Sequence, residues 1–249
     1  MDTSVFISIF GLDIRWYGLV YAIGFLLSYY YFMKYFKHKN ISDEQKDSIF
    51  FTTLIISLIC ARLTYCFAYF PEYYFSNFFD IFKIWEGGMS INGGFIGFFG
   101  SFYYFSKKFK TSIYTFTDFF ILPGILALAF GRLGNFFNQE LVGIPTISSF
   151  GIVFPQVDEV SRHPYQLYAG FKNLIAFQIL LYLHIFKSLK PGTLTLIAAI
   201  LYSGGRFIID FLREPTTLYF GFPLGQWFSL IIVCVAGYLL FKKIQNKNF

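Results

Sequence analysis

The sequence predicts an all-α integral membrane protein, with about seven transmembrane helices in a single domain (residues 1–249) and a small extracytoplasmic cap over 138–166. Three observations carry this reading. Hydrophobic residues make up 56% of the 249 and charged residues only 14%, against about 25% charge in an ordinary soluble domain. The apolar residues come in blocks long enough to cross a roughly 30 Å hydrocarbon layer, not in alternating or one-faced patterns. Lysines, finally, fall in alternate connections between those blocks.

The predicted spans lie near 16–36, 48–70, 89–105, 117–137, 168–186, 193–211 and 225–242, the third being short or tilted. The opening "MDTSVFISIFGLDIRWYG" has neither a basic leader nor a small-residue cleavage site, so no removed signal is expected. The stretch 42–47 reads as a helix start. Gly93, Gly97 and Gly100 give the third span a small-residue face, and Gly131 and Gly134 do the same locally on the fourth. Cys60, Cys66 and Cys234 lie within apolar spans without a CxxC or a nearby His, and read as packing residues.

Lys34, Lys37, Lys39 and Lys46 mark one connection, Lys107, Lys108 and Lys110 the next basic one, then Lys187 and Lys190, and finally Lys242, Lys243 and Lys247. Between them stand Lys-poor segments with Asp2, Glu72, Asp80, Asp158 and Glu159. The positive-inside rule puts the N-terminus outside and the C-terminus in the cytoplasm. The net charge of +6 is then a topology signal, and no nucleic-acid partner is expected.

With that orientation the unusual polar residues share one depth, near the outer surface. Arg15 and Tyr17 start span 1, and Arg62 and Tyr65 lie late in span 2. Asn92 opens span 3, and "GRLGNFFNQE" closes span 4 with Arg132, Asn135, Asn138 and Glu140. "YSGGRFIIDFLREP" closes span 6, with Tyr202, Arg206, Asp210 and Arg213 on one helical face. Arg62, Arg132, Arg206 and Asp210 turned to lipid would cost on the order of 5–10 kcal/mol together. They are expected to face a shared interior. Three arginines against one carboxylate leave a cationic surplus, and a planar guanidinium fork suits phosphate. A phospholipid head group is the anion available at that depth.

The motifs "IRWYGLVYAIGF", "ARLTYCF", "WEGGMSINGGFIG", "GRLGNFFNQELVG", "FGIVFPQVDEVSRHPYQLY", "RFIIDFLREP" and "GQWFSL", in that order along nearly the whole chain, resemble the bacterial prolipoprotein diacylglyceryl transferases. The resemblance implies an enzyme of the bacterial cytoplasmic membrane with its site on the periplasmic side. It would move the diacylglyceryl group of phosphatidylglycerol onto the lipobox cysteine of a prolipoprotein signal peptide, forming a thioether and releasing glycerol phosphate. Catalytic roles would fall to Arg132, Arg206, Asp210 and His163. Lipid contact would fall to Arg132, Asn135, Asn92, Glu140, Gly143, Tyr17, Arg62 and Tyr202. His163 or Glu140 is the available base. Neither metal nor cofactor is expected, since no His and carboxylate cluster appears at ligand spacing. Three positions depart from the family's pattern: Asn92 stands in place of the usual His, Asp210 in place of Glu, and Ala169 in place of the glutamate of "QLYE". A diverged paralogue acting on another lipid group or acceptor, or a non-catalytic phospholipid-binding membrane protein, is the alternative. A transporter would need polar groups along both halves of its path, and the inner halves here are apolar.

Overall fold

A computed structural model describes residues 5–9, 12–36, 38, 40–84, 87–214 and 218–245. They are mostly helical. A hairpin of β1 (Val5–Ile9) and β2 (Leu12–Arg15) leads into α1 (Trp16–Tyr35). The other helices are α2 (Asp43–Thr64), the short α3 (Pro71–Ser76), α4 (Ile91–Lys108), α5 (Ile113–Phe137), α6 (Tyr165–Phe186), α7 (Thr193–Ile209) and α8 (Leu224–Gln245). Seven of these eight helices coincide with the predicted spans. Five, beginning at Asp43, Ile113, Tyr165, Thr193 and Leu224, are long and apolar enough to cross a bilayer. This is the profile of an integral membrane all-α protein. α4, with 18 residues, reaches about 27 Å.

The chain divides into two compact units, residues 31–117 and residues 1–30 with 118–249. In the first, α2 starts at a capping box: Ser42 accepts from the Gln45 amide and the Gln45 side chain accepts from the Ser42 amide. α4 packs against α2 where glycine allows it. A Cβ at Gly93 would lie 2.3 Å from the Cys60 carbonyl, and one at Gly97 would lie 2.7 Å from that of Ile56. Gly100, expected on the same face, has open space around it. Buried Phe32, Phe36, Phe102, Phe105 and Phe116 close the far end, with ring centroids of Phe36 and Phe102 each within 6 Å of Phe116.

The second unit is built on α5, α6, α7 and α8. Its polarity is inverted relative to a soluble bundle. On α8, Gln226, Ser229 and Ala236 are buried while Phe228, Ile231, Val235 and Leu239 are exposed. On α6, Gln166, Gly170 and Asn173 are buried while Phe171, Ile175 and Ile179 are exposed. Small and polar residues inside, with large apolar ones outside, is the arrangement that lipid as solvent favours. At the end of this unit away from the polar residues described next, the Asp118 carboxylate accepts from the amides of Gly192 (2.5 Å) and Thr195 (2.8 Å) and from the Thr195 hydroxyl (2.6 Å). It thereby caps the start of α7 from α5. Gly192 takes φ +85°, a conformation glycine adopts without strain.

Candidate functional site

The last two turns of α5 carry Arg132 and Asn135 and run into Asn138 and Glu140. Arg132 Nη1 donates to Asn135 Oδ1 (3.4 Å), Asn135 Nδ2 to Glu140 Oε2 (3.2 Å), and Asn138 Nδ2 to Glu140 Oε1 (3.3 Å). The Glu140 carbonyl accepts from Nε2 of the fully buried Gln166 at 2.6 Å. The signature is therefore a relay that orients Glu140 and holds Asn135 against Arg132. Arg132 makes no ion pair among the described residues. Its Cβ stands 3.5 Å from where a Cβ on Gly170 would be, so α6 approaches α5 at this arginine.

The end of α7 supplies the second half. Arg206 Nε donates to Asp210 Oδ2 at 3.3 Å, and the Tyr165 hydroxyl donates to Asp210 Oδ1. Asp210 is buried, its two oxygens taken up by a cation and a phenol. Neither terminal nitrogen of Arg206 is hydrogen-bonded to a described residue, and its side chain is 33% exposed. It opens onto a cavity of about 240 Å³, lined also by Asp210, Arg213, Glu214, Phe222 and Gly225. Gly225 is what makes room: a Cβ there would lie 2.8 Å from Arg206 Nη2. Arg213 lies over the Tyr165 ring at 5.8 Å, and the charges of Arg132, Arg213 and Asp210 all bear on Tyr165. The two halves thus converge on one side chain at the start of α6.

A backbone seam fixes them. Residues 142–146 run between two neighbours: the Gly143 amide donates to His163 O, that of His163 to Ile144 O, and that of Ile144 to Leu212 O, while the Glu214 amide donates to Val142 O. A Cβ on Gly143 would lie 2.5 Å from His163 O and 2.7 Å from Leu212 O, so only glycine lets the seam close. Arg162, buried, staples it. It grips Asp158 through Nε (3.1 Å) and Nη2 (2.6 Å), donates to Gly143 O (3.1 Å), and pairs with Glu214. These bonds from Arg162 are the main reason the Asp158 carboxyl is held below the usual carboxylate range, and they raise the guanidinium in turn.

The other unit holds Arg62 and Asn92. Arg62 is buried and spends every nitrogen on backbone carbonyls: Nε on Ile81, Nη1 on Gly87 and Gly88, Nη2 on Asp80 and Lys83. Its guanidinium also lies over the Tyr65 and Tyr74 rings. The sequence named it as a lipid contact; among the described residues it ties Asp80, Ile81 and Lys83 to Gly87 and Gly88, ahead of α4. Asn92 is exposed and donates to the Tyr69 hydroxyl at 3.3 Å. The Tyr17 side chain lies outside the described residues, as does that of Arg15.

The sequence profile of the prolipoprotein diacylglyceryl transferases matches residues 4–242. The chain belongs to this family. It is similar to the phosphatidylglycerol–prolipoprotein diacylglyceryl transferase of Chloroherpeton thalassium, with 32% identity over 99% of this chain and 97% of the relative. The proteins of the same name from Tolumonas auensis (34%, covering 94% and 93%) and Bordetella parapertussis (38%, covering 92% and 91%) are similar over almost as much.

Of the residues expected for this transferase, the structure gathers Arg132, Asn135, Glu140, Arg206, Asp210 and Tyr202 at one end of one unit. His163 lies on the seam, its Nδ1 3.3 Å from the Tyr168 hydroxyl, and is not among the residues that line the cavity. Sequence reasoning missed Tyr165, Gln166, Arg162 and Lys172. Lys172, a lysine amid apolar span residues, could have been flagged as an intramembrane charge. Tyr165 and Gln166 stand within the quoted "RHPYQLY" stretch but were given no role, because their partners lie far away in the chain.

Proposed function

We propose that this protein transfers the diacylglyceryl group of phosphatidylglycerol to a prolipoprotein cysteine, with Arg206 as the group that recognises the lipid phosphate. The observation that carries the reading is Arg206 itself. One edge of its guanidinium is fixed by Asp210, and both terminal nitrogens are left for a ligand beside a 240 Å³ cavity. The names of the relatives supply the two substrates, and the site supplies the chemistry.

The sulfur of the lipobox cysteine attacks the glyceryl carbon that bears the phosphate ester. A C–S bond forms, the C–O bond breaks, and glycerol phosphate leaves with the bonding pair. The thiol proton ends on the departing phosphate, so charge and atoms balance. Negative charge grows on the leaving oxygen as the bond breaks. A cation fixed beside it in a site of reduced dielectric is worth about 10²–10³ in rate. Asp210 and Tyr165 hold Arg206 in one rotamer, so no reorganisation accompanies the step. Arg132, set by Asn135 and Glu140, carries the second charge toward the phosphate. The surplus cation that a buried site tolerates poorly becomes favourable once the lipid anion is bound.

The same reading extends to topology. All seven long helices are taken as spans, with the N-terminus outside, the C-terminus in the cytoplasm, and 138–166 capping the periplasmic face of a single domain. Its support is that Lys34, Lys107, Lys108, Lys187, Lys242 and Lys243 end α1, α4, α6 and α8 or follow them directly, whereas Arg132, Tyr165 and Arg206 occupy the opposite ends of α5, α6 and α7.

The test is transfer in detergent or vesicles from labelled phosphatidylglycerol to a peptide with a lipobox cysteine. A thioether product with equimolar glycerol phosphate is expected. Absence of product beside an active relative overturns the reading.

A further inference from the structure

Lys172 lies on α6 two turns past Tyr165, and the site as described does not use it. Its ammonium donates to the Tyr202 carbonyl at 3.2 Å and sits 4.2 Å from the centre of the Tyr202 ring. An ammonium has three N–H groups, and that bond is its only one to a described residue. No carboxylate among the described residues pairs with it: Asp210, whose charge reaches it, is bonded to Arg206 and Tyr165. Its stem passes through a notch at Gly205, where a Cβ would lie 2.5 Å from Lys172 Cδ.

The ammonium's lysine also lines a groove of about 500 Å³ between α6 and α7 that runs from Tyr168 and Ile209 past Lys172 to Ile179 and Ile200. The walls are Phe171, Ile175, Ile179, Ile200, Leu201 and Ile209, with no charged residue other than Lys172. The groove suits an amphiphile: a donor at Lys172, and apolar walls that continue from it for roughly 10 Å along α6 to Ile179. The ammonium bonds α7 at Tyr202, four residues before the phosphate-reading Arg206, a step of about 6 Å along the helix. That step matches the glycerol backbone, which separates a phospholipid's phosphate from its ester carbonyls.

We infer that Lys172 and the α6–α7 groove form an acyl subsite for the donor phospholipid, in which the ammonium donates to an ester carbonyl and the groove takes that ester's chain. This rests on the transferase reading and extends it to which lipids are accepted. The occupant is a diacyl glycerophospholipid. An ether lipid fills the same groove but presents no carbonyl. Methionine at position 172 keeps the length of the stem and removes the donor.

The experiment compares diacyl with dialkyl-ether phosphatidylglycerol in the transfer assay, using the wild-type protein and Lys172→Met. Wild type is expected to show a KM about tenfold lower for the diacyl lipid. Lys172→Met raises that KM about tenfold and leaves the ether lipid's KM and both kcat values near wild type. A purely structural lysine would shift both lipids together, and that result overturns the inference. Equal KM values for the two lipids in wild type overturn it as well. A diacyl phosphatidylglycerol with a mid-chain diazirine gives a second readout, expected to label Ile175, Ile179 or Leu201 in wild type. Labelling confined to other helices, or obtained only from the lipidated peptide product, overturns the donor assignment. Wild-type protein that transfers neither lipid would sink the transferase reading instead, so the two failures are distinct.

Discussion

Arg62 and Arg206 each sit in the last turn of a long apolar helix, one in each compact unit, and the fold treats them in opposite ways. Residues 80–83 and 87–88 surround Arg62 so that five carbonyls accept from its three nitrogens, with two tyrosine rings against its face. Asp210 touches only Nε of Arg206, and Gly225 withdraws to leave the terminal nitrogens beside a cavity. Both are cations on apolar helices that lipid would penalise alike. One has its hydrogen bonding completed by the protein, and the other awaits a ligand. An intramembrane arginine is therefore informative only once its partners are counted.

The sharpest way to break the comparison is to change both arginines in the same way. Arg206→Gln should lower transfer by about 10³-fold even in the protein that stays folded, and should lower the thermal midpoint as well, because the buried Asp210 carboxylate loses its cation. Arg206→Lys should lose nearly as much, since an ammonium cannot offer the planar fork. Near-normal transfer by the lysine variant would remove Arg206 from its role. Arg62→Gln should differ in activity. It strips donors from buried carbonyls and should cost about 2–4 kcal/mol of stability, seen as a lowered thermal midpoint. The fraction that stays folded should keep its specific activity. A folded but inactive Arg62→Gln protein would erase the distinction drawn here.

A smaller effect should follow from glycine. Gly225→Ala places a methyl 2.8 Å from Arg206 Nη2 and should reduce transfer about tenfold by turning the guanidinium. Gly131→Ala on α5 meets nothing within 4 Å, and its activity should match wild type. Equal effects at the two sites would mean that the notch at Gly225 is incidental.

The smallest effect should appear with pH, on the seam. Arg162 lowers the pKa of Asp158 in the folded state, so this pair stabilises the fold above the ordinary aspartate pKa of about 3.9. That contribution is lost only as pH falls through the lowered folded-state value. The protection factors of the amides of residues 142–146, corrected for intrinsic exchange, should thus be constant from about pH 7 to 5 and should fall only below the ordinary carboxylate range. Asp158→Asn should show weaker but acid-independent protection. Loss of protection near neutral pH in wild type would point to a different staple.

Much of the helical plan was legible in advance. The seven apolar blocks became seven helices because apolar length is a local property, and the polar start at 42–47 became a capping box for the same reason. Gly93 and Gly97 formed the close approach expected of small residues, whereas Gly100 and Gly131 did not, since the partner backbone that gives a glycine its purpose is invisible in a single chain. Arg132, Asn135 and Glu140 could be read together because they are neighbours in sequence. Tyr165 could not, because the Asp210 it bonds is 45 residues away.

By itself, the sequence determined that this chain belongs in lipid and that its charges gather at particular helix ends, since hydropathy and helical periodicity follow from side-chain chemistry alone. Only the tertiary structure decided which arginine the protein saturates and which it leaves open. Saturation depends on where distant carbonyls, carboxylates and glycines come to rest, and helix packing sets those positions.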